Sequence, residues 1–136
     1  MVFTTGHANE WYGQAVVPAP NIGTGDWPNA SFISMQSKTL RDVLDHHSSF
    51  DIVASDIQGS EAEVFCGSVQ LLTDKVRRVH IGTHGEAIEE SLRQAFNDAG
   101  WRPLRDFSCG CEHLTSVGVV KFQDGVQTWL SPHAPR

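Results

Sequence analysis

The chain has 136 residues, of which 40% are hydrophobic, and its formal net charge is −6. This length suffices for the core of one globular domain, and the composition is not that of a disordered chain. No basic cluster is larger than the pair Arg77–Arg78, so the sequence has no phosphate-binding stripe and we expect no nucleic-acid partner.

The sequence also shows no signal for a membrane or for export. No apolar run approaches the ~18 residues of a membrane span, and the first residues lack the basic and apolar regions of a signal peptide. Three cysteines, an odd number, argue against the disulfide framework of a secreted protein. We therefore expect a cytoplasmic protein with no membrane partner.

The start of the chain is predicted to be rich in loops. Residues 1–31 are rich in Gly, Pro, Asn and Thr, with one strand-like piece at 14–18. Residues 32–36 are predicted to form a second strand. A helix follows in "TLRDVLDHH", where apolar residues recur at helical spacing and Thr39 with Asp42 forms a capping box.

The middle of the chain alternates strands and helices. "FDIVAS" at 50–55 is a short continuous apolar run, which is typical of a parallel strand covered on both faces. We predict a helix over 61–72, a second strand over 76–83, and then a helix that ends at Gly100. Alternation of this kind indicates a parallel sheet.

The end of the chain is predicted to be antiparallel. Residues 101–107 form one strand, and residues 117–130 form two strands joined at Asp124–Gly125, which is the strongest short hairpin signal. The predicted fold class is therefore α/β, with a parallel centre, helices on the faces of the sheet and an antiparallel C-terminal hairpin. We interpret residues 1–136 as a single domain whose core spans 32–136.

A candidate site lies where the two central strands end. Ligands of an open parallel sheet bind beyond the carboxyl ends of its strands. Asp56 follows the first strand, His84 follows its predicted neighbour, and Glu61 opens the helix in between. Two carboxylates that face a histidine suit metal binding, orientation of a small molecule or general acid–base chemistry. The alternative is structural, with both acids bonded to a turn and a helix N-terminus. We predict these three residues to be catalytic.

The stretch "CGCEH" offers Cys109, Cys111 and His113 as zinc ligands. Structural zinc sites usually space their cysteines by two to four residues and recruit a second pair of ligands. The Cys-x-Cys spacing is tighter than that, and the sequence shows no second pair. We therefore predict a loop with two free thiols and assign no metal site.

The order of these pieces resembles the C-terminal half of FkbM-type methyltransferases. The motif of that family is an Asp-x-Glu-Gly-x-Glu turn, which stands here as "DIQGSE" with Gln58 in place of the middle Glu. "TLRDVLDHHSSFDIVASD" is similar to the helix and strand before that turn, and "VRRVHIGTHGEAIEESLRQAFNDAGW" to the strand and helix after it. "FQDGVQTWLSP" is similar to the closing hairpin and "EWYGQAVV" to an upstream segment, so the match covers most of residues 10–132.

The resemblance implies a methyltransferase-like (Rossmann-type) sheet and S-adenosylmethionine as cofactor, but the cofactor-binding half has no counterpart in the sequence. That half holds the cofactor on a strand that ends in a glycine-rich turn, at the backbone amides of a helix N-terminus. Gly23 and Gly25, in "NIGTGD", follow "VVPAP" rather than a buried strand and precede "DWPN" rather than a helix. We interpret them as part of a polar loop and predict no cofactor-binding residues.

A truncated core of this type implies a bare strand edge. In the implied sheet, the strand "FDIVAS" is interior, and one of its two neighbours belongs to the missing half. Unpaired backbone groups near Ile52–Ser55, with few charges beside them, favour self-association. We therefore expect a homo-oligomer, together with a small-molecule ligand at the strand ends.

Two functions fit the sequence. The first is a methyltransferase-like module without its own S-adenosylmethionine site, which acts as a non-catalytic oligomeric binding or structural protein. The second is an active enzyme. It would either transfer a methyl group with a cofactor site completed across subunits, or perform metal-assisted chemistry at Asp56, Glu61 and His84.

Overall fold

The computed structural model divides the chain into two compact units, Met1–Lys38 and Thr39–Arg136. The residues that it describes, with side chains from 36 onwards, are 2–5, 16–17, 31–34 and 36–134.

The first unit contains a three-stranded antiparallel sheet in the order β2–β1–β3. Its strands are β1 (Val2–Thr5), β2 (Val16–Val17) and β3 (Ser31–Ser34). The strands β2 and β3 confirm the strands predicted at 14–18 and 32–36, whereas β1 was not predicted. The rest of the loop-rich segment 1–31, including Gly23 and Gly25, lies outside the described residues.

The second unit is a mixed α/β structure around a four-stranded sheet in the order β4–β5–β9–β6. Its elements are α1 (Leu40–Leu44), β4 (Val53–Ser55), α2 (Glu61–Cys66), α3 (Val69–Lys75), β5 (Arg78–Thr83), α4 (Glu86–Asp98), β6 (Arg102–Phe107), β7 (Glu112–Thr115), β8 (Gly118–Lys121) and β9 (Gly125–Leu130). The strands β4 and β5 are parallel, as predicted, and β9 runs antiparallel to both β5 and β6. The α/β class is confirmed, in a sheet that is mostly antiparallel.

The hairpin predicted at Asp124–Gly125 is wrong. The strands on either side of that dipeptide do not pair with each other: β8 pairs with β7, and β9 lies between β5 and β6. β9 is buried along most of its length while β8 is exposed throughout. Burial of Trp129 in the core outweighs the local turn preference of an Asp-Gly pair, because it removes far more apolar surface from water.

The helices begin and end largely where the sequence indicates. Thr39 caps α1 with the predicted capping box, since its hydroxyl accepts the backbone N–H of Asp42 at 3.1 Å. The single helix predicted over 61–72 is instead two helices, α2 and α3, separated at Gly67–Ser68, and both of these residues have weak helix propensity. Among the described residues, no helix combines the length and the apolar character needed to cross a membrane.

The helices of the second unit share one core on one face of the sheet. Alternate residues of β5 and β9 are buried there, and Val79 lies opposite Trp129. Phe96 of α4 stacks on Trp129 with 5.3 Å between ring centroids. On the opposite face of the sheet, Ala54 of β4 is exposed and His80 of β5 is half-buried. The prediction that β4 is covered on both faces by helices is therefore wrong for the described residues, and the finer Rossmann-type assignment stays a prediction.

Candidate functional site

The parallel pair β4 and β5 places two predicted site residues at the same edge of the sheet. Ser55, the last residue of β4, is in register with Ile81 of β5. Asp56 follows β4 directly, and His84 follows the end of β5 at Thr83. Parallel strands end on the same side of a sheet, so both side chains lie at one end of the sheet.

The structure brings all three predicted residues together. Nδ1 of His84 lies 2.8 Å from Oε1 of Glu61, and Nε2 of the same ring lies 3.4 Å from Oδ1 of Asp56. One ligand atom from each residue lies within 4.8 Å of the other two. The predicted convergence is confirmed, while a catalytic role for the three residues stays a prediction.

Glu61 is the buried member of this trio, with 0% of its surface exposed. The "DIQGSE" loop turns back through Gln58 and Gly59, which have φ angles of 52° and 99°. This turn directs the N–H of Gly59 at Oε1 of Glu61, at a distance of 3.1 Å. Oε2 of Glu61 is buried and has no hydrogen-bond partner among the described residues. An ionised carboxylate in this position stabilises positive charge on a neighbouring group.

Asp56 is the exposed member, since 67% of its side chain is accessible to solvent. The side-chain amide of Gln58 donates a hydrogen bond to Oδ1 of Asp56 at 3.0 Å. A Cβ atom on Gly82 would lie 3.4 Å from the carboxyl carbon of Asp56, so this strand position lets the carboxylate lie close against β5. Gln58, which stands where the motif that the sequence resembles has Glu, therefore adds a donor and no further negative charge.

Asp56 and His84 line a cleft of about 400 Å³ on the face of the sheet opposite the helical core. The cleft is lined by Ala54, Ser55, Asp56, His80, Gly82, His84, Asp124, Gly125 and Val126. Nδ1 of His80 lies 2.8 Å from the hydroxyl of Thr128, so this second histidine is held within the sheet. The cleft therefore offers two carboxylates, Asp56 and Asp124, and two imidazoles among small residues, and Asp56 and His84 are the carboxylate and the imidazole that meet there.

Comparison with known proteins points to methyltransferases. The chain is 32% identical over 105 residues to a protein of Jannaschia sp. (strain CCS1) described as "Putative methyltransferase". The aligned region covers 77% of this chain and 37% of that relative, so the chain spans just over a third of the relative's length. No family model matches the sequence, and no solved structure matches the fold. The similarity supports a methyltransferase-like relationship.

Sequence reasoning missed a second buried polar cluster, which adjoins the cleft at Gly125. Oε1 of Glu89 accepts hydrogen bonds from the backbone N–H of Cys109 at 2.8 Å and from the hydroxyl of Thr83 at 3.1 Å, and Oε2 pairs with Arg93 at 3.2 Å. The N–H of Gly125 donates to Sγ of Cys109 at 3.1 Å. The signal was available, because Glu89 lies three residues before Leu92 on the buried face of α4.

The surroundings in this cluster shift the pKa values of Glu89 and Cys109. Burial raises the pKa of the Glu89 carboxyl, but the hydrogen bonds from Cys109, Thr83 and Ser108 outweigh it, so the pKa lies below its ordinary value. Burial and the nearby Glu89 carboxylate raise the pKa of the Cys109 thiol. Cys109 is therefore a weak nucleophile at neutral pH.

Cys109 and His113 of the "CGCEH" stretch have separate surroundings. Sγ of Cys109 donates to the carbonyl oxygen of Thr83 at 3.3 Å, while the ring of His113 packs on Phe107 with 4.9 Å between centroids. Among the described residues, the trio at Asp56 is the group of acids, cysteines and histidines that meets at metal-binding distances, and Cys109 and His113 do not belong to it. The metal content of this stretch stays a prediction.

Proposed function

We propose that this chain is an FkbM-type, methyltransferase-like module that binds a small molecule in the cleft beside Asp56 and His84 and does not hold S-adenosylmethionine by itself. The observation that carries the proposal is the convergence of Asp56, Glu61 and His84 at the carboxyl ends of the parallel pair β4 and β5. Ligands of parallel sheets bind at this position, and here it carries one exposed and one buried carboxylate.

The strand pairing of β4 supports the proposal that the chain does not hold S-adenosylmethionine by itself. In the sheet that the resemblance implies, the strand beside β4 carries the glycine-rich turn for S-adenosylmethionine. Among the described residues, β4 is hydrogen-bonded to β5 alone. The described part of the chain therefore offers the ligand cleft, and the cofactor would be held by the half of the implied sheet that has no counterpart in this sequence.

Calorimetric titration with S-adenosylmethionine tests this proposal. We expect no saturable heat when the cofactor is added to the purified chain, because the Gly-x-Gly of the sequence, Gly23 and Gly25, follows "VVPAP" rather than a buried strand. An S-adenosylmethionine-dependent enzyme in the same buffer serves as the positive control. Binding with a dissociation constant near 1 μM, about −8 kcal/mol, would contradict the proposal and favour the second candidate.

The second candidate is an active methyltransferase whose cofactor site is completed across subunits. It is favoured by the similarity to a protein described as a methyltransferase and by the position of the trio at the strand ends. Formation of S-adenosylhomocysteine by the purified chain, dependent on a small-molecule acceptor and lost in Asp56→Asn, would establish this candidate.

We further propose that the module is a homo-oligomer that associates through the edge of β4 that pairs with no strand among the described residues. Ile52 and Ile57, on either side of this strand, are exposed by 53% and 37%. An edge strand with apolar residues and few charges is prone to pair with another strand. Two-fold symmetry makes such pairing self-complementary, because the same edge serves both subunits.

Ile52→Lys is expected to convert the oligomer into a monomer at micromolar concentration. The lysine would place a charge in an apolar contact, which must bury on the order of 1,000 Å² to be stable. The measurement is multi-angle light scattering. The matched control is Val117→Lys at the exposed tip of the β7–β8 hairpin, where 90% of the side chain is accessible, and it should leave the mass unchanged. A monomeric wild type, or loss of the oligomer in the control alone, contradicts association through β4.

A further inference from the structure

The two ring nitrogens of His84 have different roles in this structure. Nδ1 lies 2.8 Å from Oε1 of Glu61, which is the distance of a charge-assisted hydrogen bond. An ionised carboxylate only accepts hydrogen bonds, so with Glu61 ionised this contact requires the ring proton on Nδ1. In that tautomer, Nε2 presents a lone pair towards Asp56.

The contact between Nε2 of His84 and Asp56 is different. The distance to Oδ1 is 3.4 Å, whereas charge-assisted N–H···O bonds measure about 2.7–2.9 Å. Two ligand atoms that each lie about 2.1 Å from one tetrahedral ion are about 3.4 Å apart. The separation is therefore long for a hydrogen bond and suitable for two ligands of one metal ion.

We infer that Nε2 of His84 and the carboxylate of Asp56 bind a divalent first-row metal ion, with Glu61 orienting the imidazole from behind. Imidazole combined with carboxylate is a donor set that such ions prefer. A metal-binding histidine usually donates its other N–H to a carboxylate or a carbonyl, which fixes the ring and raises its basicity. The Glu61–His84 hydrogen bond has this form.

The buried carboxylate of Glu61 is a second, independent observation that points to a cation. Glu61 is fully buried, and its Oε2 has no hydrogen-bond partner among the described residues. One carboxylate oxygen of Glu61 and one of Asp56 lie within 4.8 Å of each other. A buried charge is costly unless it is paired, and a divalent ion at His84 would balance both carboxylates.

The cleft leaves room for further ligands of the ion. Asp56 is exposed, and Gly82 has no side chain to cover its carboxylate. Water or an acceptor hydroxyl would complete the coordination from the solvent side, as in metal sites that keep an open position. The inference goes beyond the proposed function and does not depend on it, because metal binding is measured without any acceptor or cofactor.

Titration of the full chain with Co²⁺ tests the inference. Co²⁺ is paramagnetic, so in a ¹⁵N–¹H NMR spectrum it should first broaden the amide signals of Gly59, Gly82 and Gly85. Calorimetry should give an affinity that falls at least tenfold in His84→Gln and in Asp56→Asn. Glu61→Gln should weaken binding by about 10–100-fold, as expected for a residue that supports a ligand. His113→Gln is the matched control and should bind as the wild type does.

Two results would overturn the inference. One is an unchanged Co²⁺ affinity in His84→Gln, with broadening confined to the Cys109–His113 loop or to His46 and His47. The other is a His84 ring that keeps protons on both nitrogens in ¹⁵N spectra with excess Zn²⁺, because the ring would then be an imidazolium held between two carboxylates. Circular dichroism of each variant shows whether a loss of binding is caused by unfolding. Because Asp56 is exposed, Asp56→Asn should fold and test the site even if Glu61→Gln does not fold.

Discussion

Replacing Gly125 with alanine is expected to destabilise the second unit by about 3 kcal/mol or more. A Cβ atom at this position would overlap the carboxylate of Glu89 and the hydroxyl of Thr83, and would lie 3.0 Å from the carbonyl oxygen of Phe107. The carboxylate cannot turn away freely, because the same oxygen accepts the N–H of Cys109. The substitution therefore combines overpacking with the loss of hydrogen bonds to a buried charge.

The measurement is urea unfolding followed by circular dichroism. Gly67→Ala is the matched control, because Gly67 has an ordinary φ of −73° and a Cβ there would meet nothing within 4 Å. It should change the free energy of unfolding by less than about 1 kcal/mol. If Gly125→Ala were as stable as this control, the close approach of Glu89 and Thr83 to Gly125 would be wrong.

Trp129→Ala is expected to cost about 3–5 kcal/mol in the free energy of unfolding. The side chain is 1% exposed and stacks on Phe96 with an angle of 10° between the rings. Its Nε1–H donates to Oε1 of Gln127 at 3.1 Å. Truncation would leave a large cavity at the centre of the core and a buried amide oxygen without its donor.

Trp129→Phe distinguishes the contribution of packing to the free energy of unfolding from that of the hydrogen bond. The phenyl ring keeps part of the stack on Phe96 but cannot donate to Gln127, so we expect a loss of roughly 1–3 kcal/mol. Val117→Ala, at a side chain that is 90% exposed, should change stability by less than about 0.5 kcal/mol. Urea unfolding of the three variants is the measurement, and equal losses in Trp129→Ala and Val117→Ala would contradict the described core.

The second polar cluster shows why part of the site escaped sequence reasoning. Glu89 lies in α4 near other acidic residues, and a run of acids in a helix usually indicates a face exposed to solvent. Only the packing of α4 on the sheet places its carboxylate against the N–H of Cys109, twenty residues further along the chain. A contact of this separation leaves no local pattern, although the spacing from Leu92 indicates the buried side of the helix.

The sequence by itself determined the parallel pair and the trio at its end. Two short apolar strands separated by one helical region pair in parallel, since such a crossover returns the chain in the same direction, and the residues after each strand then meet at one edge. Asp56, Glu61 and His84 could therefore be placed together from local patterns. The tertiary structure alone decided that β9 inserts between β5 and β6 rather than pairing with β8, and that the helical core covers one face of the sheet. These features depend on where the apolar surface of Trp129 is buried. The free energy of that burial comes from contacts between segments that are distant in the chain, and a local Asp-Gly turn signal carries no information about them.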